Sequence, residues 1–202
     1  MKLKDAIQTL KKERKERKFT QTVDVIINLK NIDTKKPENK FSLDVALPHG
    51  SGKNVKVCLI SDTLKDALTK GDMEDIAKNK KKAKDLSKEY DFFACEPPLM
   101  PVVGKLLGMY LAPKGKMPQV LPPNADQAAL VEKLSRSVRV RIRDSPTIHT
   151  RVAKEDMDND KIEENVRTVI ETVKKRLPKG ENQIKNIMLK LTMSQPIKVD
   201  VN

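Results

Sequence analysis

Strict alternation of apolar and polar positions marks both ends of the chain. Near the C-terminus Ile187, Leu189, Leu191 and Met193 alternate with Met188, Lys190 and Thr192, and beyond Ser194-Gln195-Pro196 the residues Ile197, Val199 and Val201 alternate with Lys198 and Asp200. A period of two sends one row of side chains into a core and leaves the other row free to bind. Near the N-terminus Val23, Val25, Ile27 and Leu29 alternate with Thr22, Asp24, Ile26 and Asn28. Phe41, Leu43, Val45 and Leu47 make a second such strand, expected to pair antiparallel with the first across the Pro-containing turn at 31–40. Val138, Val140 and Ile142 alternate with Arg139, Arg141 and Arg143, which predicts a row of guanidinium groups on an open face, and residues 147–153 form a further strand. Two helical periods join these strands. Leu3, Ala6, Ile7 and Leu10 share a stripe within a helix expected over 1–18. Ile162, Val166, Val169, Ile170, Val173 and Leu177 mark the other, with Asp160-Lys161-Ile162-Glu163 as a capping box and Pro178-Lys179-Gly180 as its end.

The middle of the chain has a different pattern. Residues 55–60 are apolar except for Lys56, as in a parallel strand covered on both faces. Helices are expected over 62–70 and 73–88, a buried strand over 90–95, and helices over 101–110 and 124–135. Strands alternating with helices of this length imply a βαβ layer structure. The fold class that follows is α/β and α+β in two domains. Residues 1–50 plus 138–202 form a discontinuous α+β domain with an antiparallel sheet, and 51–137 an inserted, three-layer, Rossmann-like α/β domain. The two chain crossings between them are candidates for a hinge.

Charge narrows the function. Forty-one Lys and Arg against 28 Asp and Glu in 202 residues give a net charge of +13, and a field of that sign attracts polyanions. Cys58 and Cys95 are the only cysteines; neither belongs to a Cys-x-x-Cys arrangement, so buried reduced thiols are expected rather than a disulfide framework or zinc site. No apolar run approaches 18 residues and the N-terminus is charged and amphipathic, so the expected location is cytoplasmic with no membrane partner.

Few residues offer catalytic chemistry. Gly50-Ser51-Gly52-Lys53 has part of a phosphate-binding loop, but Leu47 stands where the first Gly belongs and a strand follows, so a plain interdomain turn is expected. Asp156, Asp158 and Asp160 have the opening spacing of a calcium loop, yet Lys161 and Arg167 occupy its turn and bidentate positions. His49 has no ligand-type neighbour; His149, beside Thr147 and Arg151, suits either a phosphate or ribose contact or a solvent-facing role. Gly104 and Gly108 have the spacing of close helix packing, and the lysines at 78, 80, 81, 82 and 84 that of a solvated face or a secondary RNA contact. No nucleophile elbow, acid–base pair, metal cluster or cofactor motif is present, so neither an enzyme nor a cofactor is expected. An enzyme acting on a nucleotide and a DNA-compacting protein are the rival classes. The better constellation lies on the alternating strands. Phe19 follows Lys18 at a helix exit, suited to burial or to stacking on a base, while Thr22, Asp24, Lys190 and Thr192 fall on open strand faces where hydroxyl and carboxylate groups meet 2′-hydroxyls.

Five ordered motifs carry a family likeness: Lys18-Phe19-Thr20-Gln21-Thr22-Val23-Asp24, Leu47-Pro48-His49-Gly50, Pro113-Lys114-Gly115-Lys116-Met117-Pro118, Ile148-His149, and Leu191-Thr192-Met193 followed by the Pro196 strand. Over essentially its whole length the chain resembles the L-one family of universal large-subunit ribosomal stalk proteins, in the compact archaeal form. The resemblance implies a terminal domain that grips the large-subunit rRNA of the side stalk, a stalk that moves with deacylated tRNA leaving the exit site, and repression of translation through a similar fold in its own mRNA. It also implies a monomer within the ribosome, with RNA contacts at Lys18, Phe19, Thr22, Asp24, His149, Lys154, Asn186, Thr192 and Met193. Ser194 departs from the family, which has Gly after the Thr-Met pair, and Gln195-Pro196 replaces Gly-Pro; a turn needing positive φ there would make Ser costly.

Overall fold

The computed structural model describes residues 1–13, 17–36, 39–64, 67–121 and 127–200. Contacts divide the chain into two units, Met1–Lys53 with Arg136–Asn202, and Asn54–Ser135.

The terminal unit is built on strand β1 (Thr22–Leu29), whose residues alternate between half-buried and buried along its whole length. β1 lies in the middle of a four-stranded antiparallel sheet between β7 (Thr147–Lys154) and β8 (Ile184–Leu191), with β9 (Ile197–Val199) outside β8. One face packs on helices α1 (Leu3–Lys12) and α7 (Asn159–Arg176), which present Leu3, Ala6, Ile7 and Leu10, and Ile162, Val166, Val169, Ile170 and Val173, to Val23, Val25, Ile27, Leu189 and Leu191. Both helices place an acid in the first turn and lysines or arginine in the last, which suits the helix dipole. The last pair of strands comes together as the alternation predicts, with Ile187 opposite Val199 and Leu189 opposite Ile197.

Several local expectations are corrected. α1 ends at Lys12, residues 17–20 are not helical, and 14–16 lie outside the described residues. β2 (Ser42–Ala46) does not pair with β1 but with β6 (Ser137–Arg141), in register Asp44 opposite Arg139. The reason is electrostatic: Asp44 is half-buried and β1 has no cation to offer it, whereas Arg139 Nε donates to Asp44 Oδ1 at 2.8 Å. That ion pair also removes Arg139 from the anticipated open guanidinium row, leaving Arg141 and Arg143 as its exposed members. The capping box at 160–163 does not form. α7 starts two residues earlier, behind Asp158, and Glu163 is buried, accepting from Arg167 Nη2 at 2.8 Å.

The register of β1 and β7 contains a bulge. Thr22 faces Lys154 and Val23 faces Ala153, but Asp24 faces Arg151, so Val152 is surplus to the ladder. A regular register would bring Ala153 opposite Thr22 and turn Lys154 over to the core side. The Val152 carbonyl is held instead by Asn165 of α7, fully buried, whose Nδ2 donates to it at 2.9 Å and to the Gly50 carbonyl at 2.8 Å, while Asn165 Oδ1 accepts the His49 N–H at 3.2 Å. Helix, bulge and the loop after β2 thus meet at one amide.

In the inserted unit three parallel strands, β3 (Val57–Ile60), β4 (Phe92–Cys95) and the unanticipated short β5 (Gln119–Val120), lie in that order. Cys58, Ile60, Phe93 and Cys95 face α2 (Lys70–Lys78), α3 (Lys80–Glu89), α4 (Met100–Leu106) and α5 (Gly108–Leu111), and Phe92 and Ala94 face Leu134 of α6 (Gln127–Ser135), which gives three layers. The helix expected over 62–70 is not helical at its described residues before Lys70, where α2 begins; Thr69 caps α2 through a reciprocal box with Asp72. The helix expected over 73–88 is two, because the Asn79 side chain accepts the N–H groups of Lys81 and Lys82 and starts α3 afresh. Among the described residues nothing lies within 4 Å of a Cβ added at Gly104 or Gly108, so their spacing serves no close packing there. In the 113–118 motif, Lys116 Nζ donates to the carbonyls of Ser87 at 3.0 Å and Tyr90 at 2.6 Å, and Lys114 Nζ donates to Ser87 Oγ, a pair of cations on the end of α3.

Two outcomes are expected. Asn165→Ala leaves two buried carbonyls and the half-buried His49 N–H without this partner and lowers the free energy of unfolding in urea by about 3 kcal/mol; a loss under about 1 kcal/mol would mean that those groups find other partners. Burial pushes the Cys58 thiol up to about 12 and the Cys95 thiol up to about 11. With folded values above the unfolded one, this contribution is complete below about pH 8.5 and is lost as pH rises from there through the folded values. Thermal midpoints of the parent should therefore fall more steeply between about pH 9 and 11 than those of the Cys58→Ala, Cys95→Ala variant; identical profiles would refute the assignment.

Candidate nucleic-acid interface

Among the described residues, one face of the terminal unit's sheet carries no helix, and the register assigns its rows. Lys154, Thr22 and Thr192 lie at one end; then come Arg151, Asp24 and Lys190; then His149, Ile26, Met188 and Lys198; and at the far end Thr147, Asn28 and Asn186. β9 carries Lys198, and β7 and β8 carry cations on either side of β1, which carries none. These two cationic strands are two strand spacings, about 10 Å, apart.

Hydrogen bonds order the polar groups across the rows. Thr192 N–H donates to the Thr22 carbonyl at 3.1 Å, Thr22 N–H donates to Thr192 Oγ1 at 3.1 Å, and the two hydroxyls lie 2.9 Å apart. Thr22 Oγ1 donates to Asp24 Oδ1 at 3.4 Å, so the second threonine must donate to the first, and His149 Nε2 stands 3.3 Å from Asp24 Oδ2. The neighbours expected of a carboxylate on a cationic face are thus a hydroxyl and an imidazole. His149 is exposed, with its ring placed diagonally across from Asp24. At the opposite end Asn28 Nδ2 donates to Asn186 Oδ1 at 2.7 Å and Thr147 Oγ1 donates to Asn28 Oδ1 at 3.1 Å.

Of the positions expected from the sequence, Thr22, Asp24, His149, Lys154 and Lys190 share this face, and Thr192 joins it from the turn after β8. Asn186 is on the same face but six residues along the strand from Thr192, about 20 Å away. Lys18 and Phe19 belong to the exposed segment leading into β1, and Phe19 is 51% exposed. Three residue steps lead from it to Thr22, at most about 11 Å of chain. Met193 departs from its expected place in the buried row: β8 ends at Leu191 and Met193 turns outward, 61% exposed.

Ser194 is not a strained substitute for Gly. Among the described non-glycine residues only Asn31 has positive φ. Ser194 Oγ accepts the Leu191 N–H at 2.8 Å and donates to the Gln195 carbonyl at 3.1 Å, closing the turn that presents Thr192 and Met193. Gln21, almost fully buried, was overlooked in the sequence. Its Oε1 accepts the Met193 N–H at 3.2 Å and its Nε2 donates to Glu155 Oε2 at 3.3 Å, fastening the same turn to the start of β1. Arg151 and Asn165 were overlooked too, although Asn165 interrupts the apolar stripe of α7. The two histidines serve different ends: His49 Nε2 lies 2.6 Å from Glu164 Oε2 on α7, away from the rows above.

Charge follows this division. The inserted unit has 13 Lys and 11 acids, which leaves +11 of the +13 on the terminal unit.

The sequence pattern of the Ribosomal protein L1p/L10e family matches residues 10–195. Similar proteins include "Large ribosomal subunit protein uL1" of Thermococcus kodakarensis, 41% identical over 98% of this chain and 97% of that one, and of Pyrococcus abyssi, 42% identical over 98% and 95%. The protein so named from Methanothermobacter thermautotrophicus is 40% identical over 96% and 97%. Fold and matches together define a class, the structural, non-enzymatic proteins of the large ribosomal subunit. Within it, the chain belongs to the ribosomal protein L1p/L10e family, as the five motifs lead one to expect.

Because the Ser194 hydroxyl fills the turn, Ser194→Gly should destabilise the protein by about 1 kcal/mol despite restoring the residue usual in the resemblance. A gain in urea midpoint would show that backbone freedom outweighs that hydrogen bond.

Proposed function

We propose that the open face of the terminal sheet grips folded large-subunit rRNA of the side stalk, with Lys18, Phe19, Thr22, Asp24, His149, Lys154, Asn186, Lys190, Thr192, Met193 and Ser194 at the contact. The observation that carries this reading is the connected series Thr192, Thr22, Asp24, His149, which crosses three rows of the open face beside Lys154, Arg151 and Lys190. Cations on β7 and β8 take phosphates, while the hydroxyls and carboxylate between them meet 2′-hydroxyls or base donors, groups that duplex DNA presents differently. Phe19 and Met193, exposed beside the same row, supply apolar contact with a base or sugar. The concentration of charge on this unit gives the affinity its electrostatic part.

In this reading the protein acts as a monomer within the cytoplasmic ribosome, its stalk following deacylated tRNA out of the exit site, and a similar fold in its own mRNA makes it a translational repressor. The family membership and the shape-reading character of the face support these roles.

The two kinds of contact are separable. Lys190→Gln should weaken binding to a side-stalk rRNA fragment and flatten the slope of log K against log salt by about 0.7 to 0.9. Thr192→Val should weaken binding at every salt concentration with the slope unchanged. Equal slopes for both variants, or equal affinity of the parent for duplex DNA and stalk rRNA, would overturn the proposal.

A further inference from the structure

The loop after β2 bears on one cation of the open face. Gly50 and Gly52 have φ of +64° and +70°, a region L side chains rarely adopt. Their surroundings differ. A Cβ built on Gly50 meets only Arg136, at 3.7 Å or more, which is ordinary contact, whereas a Cβ on Gly52 falls 3.1 Å from Cγ, 3.2 Å from Cδ and 3.5 Å from Cβ of Lys154. Gly52 therefore lies along three successive carbons of the Lys154 stem.

That wall is fixed from behind. His49 N–H and the Gly50 carbonyl are both bonded to the buried Asn165, so the loop is tied to α7 two residues before Gly52. The same amide holds the Val152 carbonyl, two residues before Lys154. Loop and strand thus share one anchor, with the lysine stem between the glycine and the sheet. Lys154 is half-buried on the helix-free face, with Gly52 covering part of its aliphatic stem.

We infer that Gly52 is a positioning residue for Lys154: its missing side chain forms the slot that aims the Lys154 ammonium at an RNA phosphate beside Thr22. This rests on the reading of the open face given above and extends it to a loop that touches no RNA in that reading.

Gly50 supplies the control, since alanine at either position suffers the same backbone strain but only alanine at 52 meets the stem. Gly52→Ala in the full-length protein should change the rate at which acetic anhydride acylates Lys154, read by mass spectrometry, by about 3-fold or more, with Gly50→Ala unchanged at that lysine. With the side-stalk rRNA fragment, Gly52→Ala should weaken binding about 5-fold, flatten the salt slope by up to about 0.9, and add nothing further when combined with Lys154→Ala. Gly50→Ala should lose stability alone. Should Gly52→Ala match Gly50→Ala in Lys154 acylation, or lose RNA affinity additively with Lys154→Ala, the slot does not aim the lysine. Normal RNA binding by Lys154→Ala would instead refute the placement of Lys154 at the contact, and the acylation result would still decide whether the slot exists.

Discussion

One buried amide holds the terminal unit in register. Asn165 has three backbone partners on two separate segments, the loop at 49–50 and the bulge at Val152, and reaches them from a helix whose buried side chains are aliphatic apart from Asn165 and Glu163. A polar group without exposure is tolerated only when its bonds are made. Its presence on the apolar stripe of α7 therefore fixes how far that helix can slide over the sheet. A stripe of Val and Ile alone tolerates alternative packings at small cost; an amide with three required partners does not.

The open face depends on that fixed register. β1 keeps its neutral and acidic side chains in the centre because β7 and β8 take both of its edges, and their cations fall opposite its Thr22 and Asp24. Repulsion among the cations is reduced by the carboxylate between them, and the carboxylate is oriented by a threonine hydroxyl and an imidazole. In the proposed function, this prior ordering means that binding a polyanion with hydroxyl groups loses little conformational entropy in those side chains.

Much of this was legible in the chain itself. Alternation over 22–29 and 187–199 gave the buried rows and the open ones, and the change in pattern after the glycine-containing loop marked a differently built middle. What alternation does not encode is partnership. β2 was assigned to its sequence neighbour, and only the burial of Asp44 against Arg139 explains why it pairs with a strand nearly a hundred residues away. The Asn79 break was hidden by the lysines around it, because a capping side chain differs from a helical one only in geometry. Met193 continued the apolar alternation in the sequence but lies past the end of hydrogen bonding in β8, where Ser194 and Gln21 set the direction of the chain. Long-range hydrogen bonds to single side chains, Gln21 and Asn165 above all, leave no periodic trace.

The surplus residue in β7 has a consequence for how this protein tolerates changes of length. Since Val152 and Ala153 together occupy the place opposite Val23, loss of one of them would produce an ordinary ladder in which Arg151 and the lysine after Ala153 still look the same way. A deletion between Ile148 and Arg151 has no such slack, and would exchange aliphatic and charged positions along the part of the strand it shifts. Shortening at the irregular spot thus preserves the two faces of the sheet, while disturbing the carbonyl that Asn165 holds there.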